Sequence, residues 1–382
     1  MLRKVKNAIK WALAHLPESN YIVFESAPVF ADNSRVVFEE MIRRGYHKKY
    51  RFIWVTDSPD DLKRKVEHVK FILYPADGIL SRIRQTWIFY TAKAFISCNT
   101  ALPWIRRNQY AICLMHGAPL KSVVGHYSLP EEIDDIVSFS EYLMPYEAKN
   151  TGTDINKMRL LGFPRNDVLL HSSLDVHGLF SDVKFNKLIY WLPTFRQHRN
   201  GRLDLSTVAM PIIYNEEIAQ QINKCAEENE VLVVIKPHFA QDVSRIKTMN
   251  LSHFRFIDDQ FLEERGIVNY ALLGKADALL TDYSSVYYDY LLTDHPIGLC
   301  WDDYEVFKKR EGFIIDMDAV LAGGEKLYNA ADLCAFVERI AKGIDALNEE
   351  RRSVLNLIHG YHDARSTERV VNFIEQKIKI KG

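Results

Sequence analysis

Val231-Leu232-Val233-Val234-Ile235-Lys236-Pro237-His238 is an unbroken apolar run that ends in two basic side chains around a proline. A run this short and this apolar reads as a strand buried on both faces. Lys236 and His238 share one side of an extended segment, because side chains alternate along it. The same design recurs along the chain. Apolar runs stand at 21–25, 51–55, 71–74, 94–97, 111–115, 135–139 and 158–161, and a second series at 188–192, 231–235, 254–257, 278–281 and 297–300. Helical spacing fills the intervals at 34–44, 79–90 and 141–149, then at 215–227, 266–273, 284–292 and 331–341. Strands alternating with helices predict parallel sheets covered on both faces. The polar stretch 171–186 has no period and separates the series.

The reading is therefore α/β, with two doubly wound domains and a cleft between them. The expected divisions are an N-terminal helix at 1–17, one domain at 18–180, a second at 181–345 and C-terminal helices at 346–382. In the first segment Leu2, Val5, Ile9, Ala12, Leu13 and Leu16 recur at helical spacing, with Arg3, Lys4, Lys6 and Lys10 on the other face. A basic amphipathic helix of this kind suits an anionic membrane surface.

Composition narrows the classes. Of 382 residues, 47% are hydrophobic and 26% charged, the mix of a globular protein. Lys+Arg is 49 against 50 Asp+Glu, so nothing chain-wide calls for a nucleic-acid partner. The longest apolar run is six residues, Tyr110 to Met115, far short of the roughly 20 that a spanning helix needs. Cys98, Cys113, Cys225, Cys300 and Cys334 are scattered without a CxxC, as reduced core thiols would be. There is no GxGxxG and no P-loop. Asp316 and Asp318 spell a paired carboxylate, a short and common pattern, and no cofactor or resident metal is expected.

Ligands of such sheets sit beyond the carboxyl ends of the strands. There the sequence places His116-Gly117 with Lys121, where a glycine lets backbone approach a ligand and a histidine can act as general base. It also places Thr194 and Arg196 after the run at 188–192, and Lys236 and His238 after the run quoted first. Thr281-Asp282-Tyr283-Ser284-Ser285 joins a strand to a helix start, where free N–H groups and hydroxyls can hold an anion. Arg165-Asn166-Asp167 follows Gly162-Phe163-Pro164 near the junction of the two series.

Taken in order, His116-Gly117 with Pro119-Leu120-Lys121, Gly162-Phe163-Pro164-Arg165-Asn166-Asp167, Pro193-Thr194-Phe195-Arg196, His238 and Thr281-Asp282-Tyr283-Ser284-Ser285 resemble the CDP-glycerol glycerophosphotransferase family, the teichoic acid primases and polymerases and related capsule enzymes. Phe24-Glu25-Ser26 with Asp32-Asn33, Asp289-Tyr290, Pro296 and Gly312-Phe313 extend the resemblance over about 20–320. It implies a GT-B-like fold, with an acceptor domain and a CDP-donor domain. It implies transfer of a polyol phosphate, glycerol phosphate first, from a CDP-polyol to a hydroxyl of a lipid-linked or glycan acceptor, with release of CMP. It places the enzyme at the cytoplasmic face of the cell membrane. His116 and His238 become the catalytic pair. Arg196, Lys236, Thr281, Asp282, Ser284 and Ser285 become donor ligands, and Gly117, Lys121, Arg165, Asn166, Asp167 and Thr194 their support. Ala118, Gln197-His198 and Phe239 depart from the family pattern and leave the polyol open between glycerol, ribitol and others. A GT-B glycosyltransferase using a nucleotide sugar, and a non-catalytic envelope protein, are the competing readings.

Overall fold

The computed structural model describes residues 17–99, 108–126, 128–194, 210–237 and 249–381. The expected N-terminal helix, Arg196 and His238 lie outside the described residues. The chain divides into two compact units. Unit one comprises Met1–His116, Val124–Asp167 and Arg365–Gly382; unit two comprises Gly117–Val123 and Val168–Ala364.

Unit one is built on β1 (Tyr21–Glu25), β2 (Arg51–Thr56), β3 (Val69–Leu73), β4 (Ala94–Ser97), β5 (Tyr110–Cys113), β6 (Asp135–Ser138) and β7 (Met158–Leu160). They form one parallel sheet in the order β3-β2-β1-β4-β5-β6-β7. Val23 lies beside Ile53 on one side and Phe95 on the other. Phe24, Phe38, Phe52 and Trp54 pack together on one face, Phe24 stacked on Trp54 at 5.4 Å and edge-on to Phe38 at 5.7 Å. Phe38 belongs to the helix Asp32–Arg43, whose buried positions Val37, Phe38 and Met41 recur at helical spacing.

Unit two repeats the plan with β8 (Lys187–Trp191), β9 (Val231–Ile235), β10 (Phe254–Phe256), β11 (Ala278–Thr281), β12 (Ile297–Cys300) and β13 (Glu325–Leu327). The order is β10-β9-β8-β11-β12-β13, again all parallel. β9 is buried at every position, as its composition requires. Ile189, Ile222, Val233, Leu280 and Phe336 join its core, the helices Glu216–Glu228 and Ala330–Ala341 supplying the cover. β13 is not foreseen by the sequence. Glu325-Lys326-Leu327 is short and mostly polar, because an edge strand buries only its last residue.

Both sheets reverse their order at the first strand. The reversals fall between β1 and β4 in unit one and between β8 and β11 in unit two, and these are the crevices in which doubly wound sheets hold ligands.

Candidate active site

At the unit-one crevice, Glu25 ends β1 and accepts from the N–H groups of Cys98 (3.2 Å) and Asn99 (3.0 Å) beyond β4. Ser34 donates its hydroxyl to Glu25 O at 2.7 Å. Asn33 is fully buried, and its amide donates to the carbonyls of Leu114 (3.2 Å) and Met115 (2.8 Å). Its oxygen accepts from Arg165 N at 3.0 Å. The Arg165 guanidinium, 4% exposed, donates to Asp32 Oδ1 at 2.8 Å and to the His116 carbonyl at 2.6 Å. Three successive carbonyls, 114 to 116, are thus fixed by Asn33 and Arg165. Met115 adopts a left-handed φ of 57°, a conformation that non-glycine residues adopt only when neighbours hold them there.

The His116 side chain is exposed. Protein packed around its ring nonetheless lowers the imidazole pKa from its ordinary value; Asp32 opposes this and Arg165 adds to it. The ring is therefore neutral at neutral pH, the form that accepts a proton.

At the next residue the chain passes to unit two. A Cβ built on Gly117 would stand 2.6 Å from Ser285 Oγ, so a larger residue here would have to turn that hydroxyl aside. Residues 117–123 are tied down within unit two. Tyr288 Oη donates to Pro119 O at 3.4 Å, Ile314 N to Leu120 O at 3.0 Å, and Lys121 Nζ lies 5.2 Å over the Phe307 ring. Ser284 and Ser285 are half-buried between the buried Tyr283 and Val286. Their hydroxyls are hardly spent on capping. Ser285 caps nothing with its side chain, and Ser284 Oγ is 3.5 Å from Val286 N. The helix they open, Val286–Leu291, is only six residues long, so the hydroxyls and local N–H groups matter more here than a macrodipole.

The unit-two crevice is closed by Asp282. Fully buried, it accepts from Thr194 N through both oxygens at 3.0 Å, from the Thr194 hydroxyl, and from Tyr283 N at 2.6 Å. Thr281 is buried and donates to Leu192 O at 2.8 Å. Thr194, Thr281 and Asp282 are thus brought together as the frame across β8 and β11, with their polar groups directed to protein. Lys236 likewise has a protein partner, Asp259 Oδ1 at 2.9 Å.

The remaining motif divides its labour. Gly162, at φ 82°, would drive a Cβ to 2.3 Å from Ser366 Oγ. Asp167 accepts from Ser366 N (2.9 Å) and Thr367 N (2.7 Å), and so caps the helix Ser366–Lys381. Asn166 is buried, and no partner for its oxygen is found among the described residues. Asp316 and Asp318 also have structural work. Asp316 accepts from Asp318 N at 3.0 Å, and Asp318 pairs with Lys326 at 2.7 Å. Among the described residues no group of three His, Cys, Asp or Glu side chains could hold a metal ion. The sequence reading left Glu25, Asn33 and Ser34 out of the site. Their signal is a polar cluster directly beyond a buried strand, the pattern that singled out the other clusters.

The family profile described as CDP-glycerol:poly(glycerophosphate) glycerophosphotransferase matches residues 7–376. The teichoic acid glycerol-phosphate primase of Bacillus subtilis (strain 168) is 20% identical over 387 residues, covering 95% of this chain and 93% of that protein. The teichoic acid ribitol-phosphate polymerase TarL of Staphylococcus aureus (strain NCTC 8325 / PS 47) is 24% identical over 387 residues, covering 94% of this chain but only 62% of that protein. Among solved structures, the wall teichoic acid polymerase TagF superposes with a TM-score of 0.75 at 19% identity, over 99% of this chain and 97% of that one. The UDP-GlcNAc 2-epimerase of Methanocaldococcus jannaschii gives 0.51 at 15% identity, over 93% and 99%. At these identities the structures speak for the fold, which is GT-B-like. The profile speaks for more, since it runs through both units and every motif described above: the chain belongs to the CDP-glycerol:poly(glycerophosphate) glycerophosphotransferase family of enzymes.

Proposed function

We propose that this enzyme transfers a polyol phosphate, glycerol phosphate first, from a CDP-activated donor to a hydroxyl of a lipid-linked or glycan acceptor in teichoic acid or capsule-type polymer synthesis, releasing CMP. The observation that carries the reading is the His116-Gly117 junction. It joins a fixed, exposed histidine, neutral at neutral pH, to a glycine pressed against Ser285.

The reaction needs a base for the acceptor hydroxyl, donors for the transferring phosphoryl and relief of charge on the leaving CMP. His116 takes the hydroxyl proton. Ser284 and Ser285 donate to the diphosphate beside Gly117. His238, Arg196 and Lys236 supply positive charge, Lys236 by exchanging Asp259 for substrate. Thr194, Thr281 and Asp282 serve by keeping the crevice in shape rather than by touching the donor. Arg165 serves by holding the His116 carbonyl, and Asp167 by seating a helix. Among the described residues no helix is long and apolar enough to cross a membrane. The enzyme works at the cytoplasmic face of the membrane, where the basic N-terminal segment adds surface attraction.

The test is CMP release from CDP-glycerol, with CDP-ribitol and a UDP-sugar in parallel and membrane lipid extract as acceptor. Release from a CDP-polyol supports the reading and names the donor. Release of UDP alone moves the protein to the nucleotide-sugar transferases.

A further inference from the structure

All five cysteines carry free thiols, and the fold treats them differently. Cys98, Cys113 and Cys300 are fully buried. Burial holds the Cys98 thiol well above its ordinary pKa and pushes Cys113 up to about 12, so neither offers a thiolate. Cys225 and Cys334 are only half-buried. They stand 109 positions apart, yet folding brings them to one seam of unit two. Cys225 lies on the helix Glu216–Glu228 and Cys334 on the helix Ala330–Ala341. The inward faces of these helices share one core through Ile222, Ala226, Leu333 and Val337. Cys225 Sγ donates to the Cys334 carbonyl at 3.6 Å, and the Cys334 sulfur is within hydrogen-bonding reach of the same thiol.

We propose that Cys225 and Cys334 form a redox site: hydrogen peroxide joins them in a disulfide that staples the two helices, and a dithiol reopens it. The proposal does not depend on the transfer reading. The Cys334 thiolate attacks one peroxide oxygen, the O–O bond breaks, and a sulfenic acid forms as hydroxide leaves. The Cys225 sulfur then attacks the Cys334 sulfur, the S–O bond breaks, and a second hydroxide leaves. The two hydroxides take up the two thiol protons. Two thiols and one peroxide thus give one disulfide and two waters, with two electrons passing from sulfur to oxygen. The surroundings set the order of the two steps. The hydrogen bond with Cys225 lowers the Cys334 thiol from its ordinary pKa, against burial and the nearby Glu338. The same bond, followed by burial, raises Cys225. Cys334 is therefore oxidised first, and Cys225 resolves the sulfenic acid. A bridge across 109 positions also restricts the unfolded chain strongly, so the oxidised form is the more stable one.

Treatment of the full chain with a small excess of hydrogen peroxide, followed by thiol labelling in denaturant, tests this. Two of the five thiols should disappear, with the loss of two hydrogens from the intact mass, and dithiothreitol should restore both. Peptide mapping should link Cys225 to Cys334. The oxidised form should melt about 4 °C or more above the reduced one. Cys225→Ser should accumulate sulfenic acid at Cys334, captured by dimedone, and Cys334→Ser far less at Cys225. Neither variant should gain melting temperature from peroxide. Equal melting temperatures of the reduced wild type and variants would show that the variants fold, and the wild-type thiol count stands without them. Five thiols surviving peroxide, oxidation of Cys334 with no link to Cys225, or a bridge through Cys98, Cys113, Cys300 or a second chain would each overturn the proposal.

Discussion

His116, the proposed base, illustrates how much a single side chain depends on the groups that hold its backbone. Its carbonyl is held by Arg165 and the two carbonyls before it by Asn33, so the imidazole is presented from a backbone with little freedom. With the pKa lowered by surrounding protein, the base form persists below the ordinary histidine range. kcat/KM should therefore fall on the acid side only below about pH 6.5, the unperturbed histidine value. His116→Ala should fold normally and lose about 10² to 10⁴-fold in turnover. A variant with normal turnover would remove His116 from the mechanism. Gly117 gives a sharper test of geometry. Gly117→Ala sets a methyl group 2.6 Å from Ser285 Oγ. Because the Ser285 hydroxyl can turn aside, it should cost no more than about 1 kcal/mol in thermal denaturation. Adding Ser285→Gly removes the clash and should recover the stability but not the activity, if the hydroxyl binds donor. Recovery of both would mean that Ser285 is only a neighbour.

Among the elements, strands were the most legible in sequence. β1, β4, β9, β11 and β12 begin and end where their runs do, because a strand buried on both faces is apolar along its length and turns polar only at its last residue, as at Glu25, Ser97 and Thr281. β13 and the helix Asp259–Glu264 escaped notice. The first is a half-exposed edge strand, and the second is six residues with a single buried position, Leu262. The candidate site was legible as clusters beyond strand ends, but the protein partners of each side chain were not. Asp282 and Thr281 read as donor ligands in the sequence, and nothing local shows that they bond Thr194 and Leu192, about ninety positions away. Asp167 is the clearest example. Nothing local shows that its carboxylate caps a helix two hundred residues later. Asp167→Ala should lower stability by about 1–2 kcal/mol, read as a shift in denaturation midpoint. Its KM for the donor should not change, and a changed KM would give Asp167 a part in holding the donor.

At the scale of the whole molecule, the chain builds the same strand order twice yet buries in each unit a titratable group whose effect on stability runs oppositely with pH. Glu147 in unit one is 1% exposed, and burial pushes its pKa up to about 8, against the Ser138 hydroxyl, which lowers it. The folded state keeps that proton where the unfolded chain, with its carboxylate near 4.5, has lost it. Stability is therefore lost as pH rises from about 4.5 to about 8. His359 in unit two is 5% exposed, with Nε2 donating to Tyr288 O at 2.7 Å. Burial lowers its pKa to about 4 despite that bond and the nearby Asp289. The unfolded chain takes up a proton near 6.5 that the folded state refuses, so this contribution is lost as pH falls from 6.5 towards 4. Between these limits the two residues pull stability in opposite directions. Glu147→Gln should gain on wild type as pH is raised from 5 to 8, and His359→Gln should gain on wild type as pH is lowered from 7 to 5. Melting temperatures of the three proteins across that range decide the matter through their slopes, since a constant offset reports only the change of shape. Curves that run parallel for Glu147→Gln would mean that its carboxyl is charged and solvated in the folded protein, and parallel curves for His359→Gln that the imidazole titrates freely.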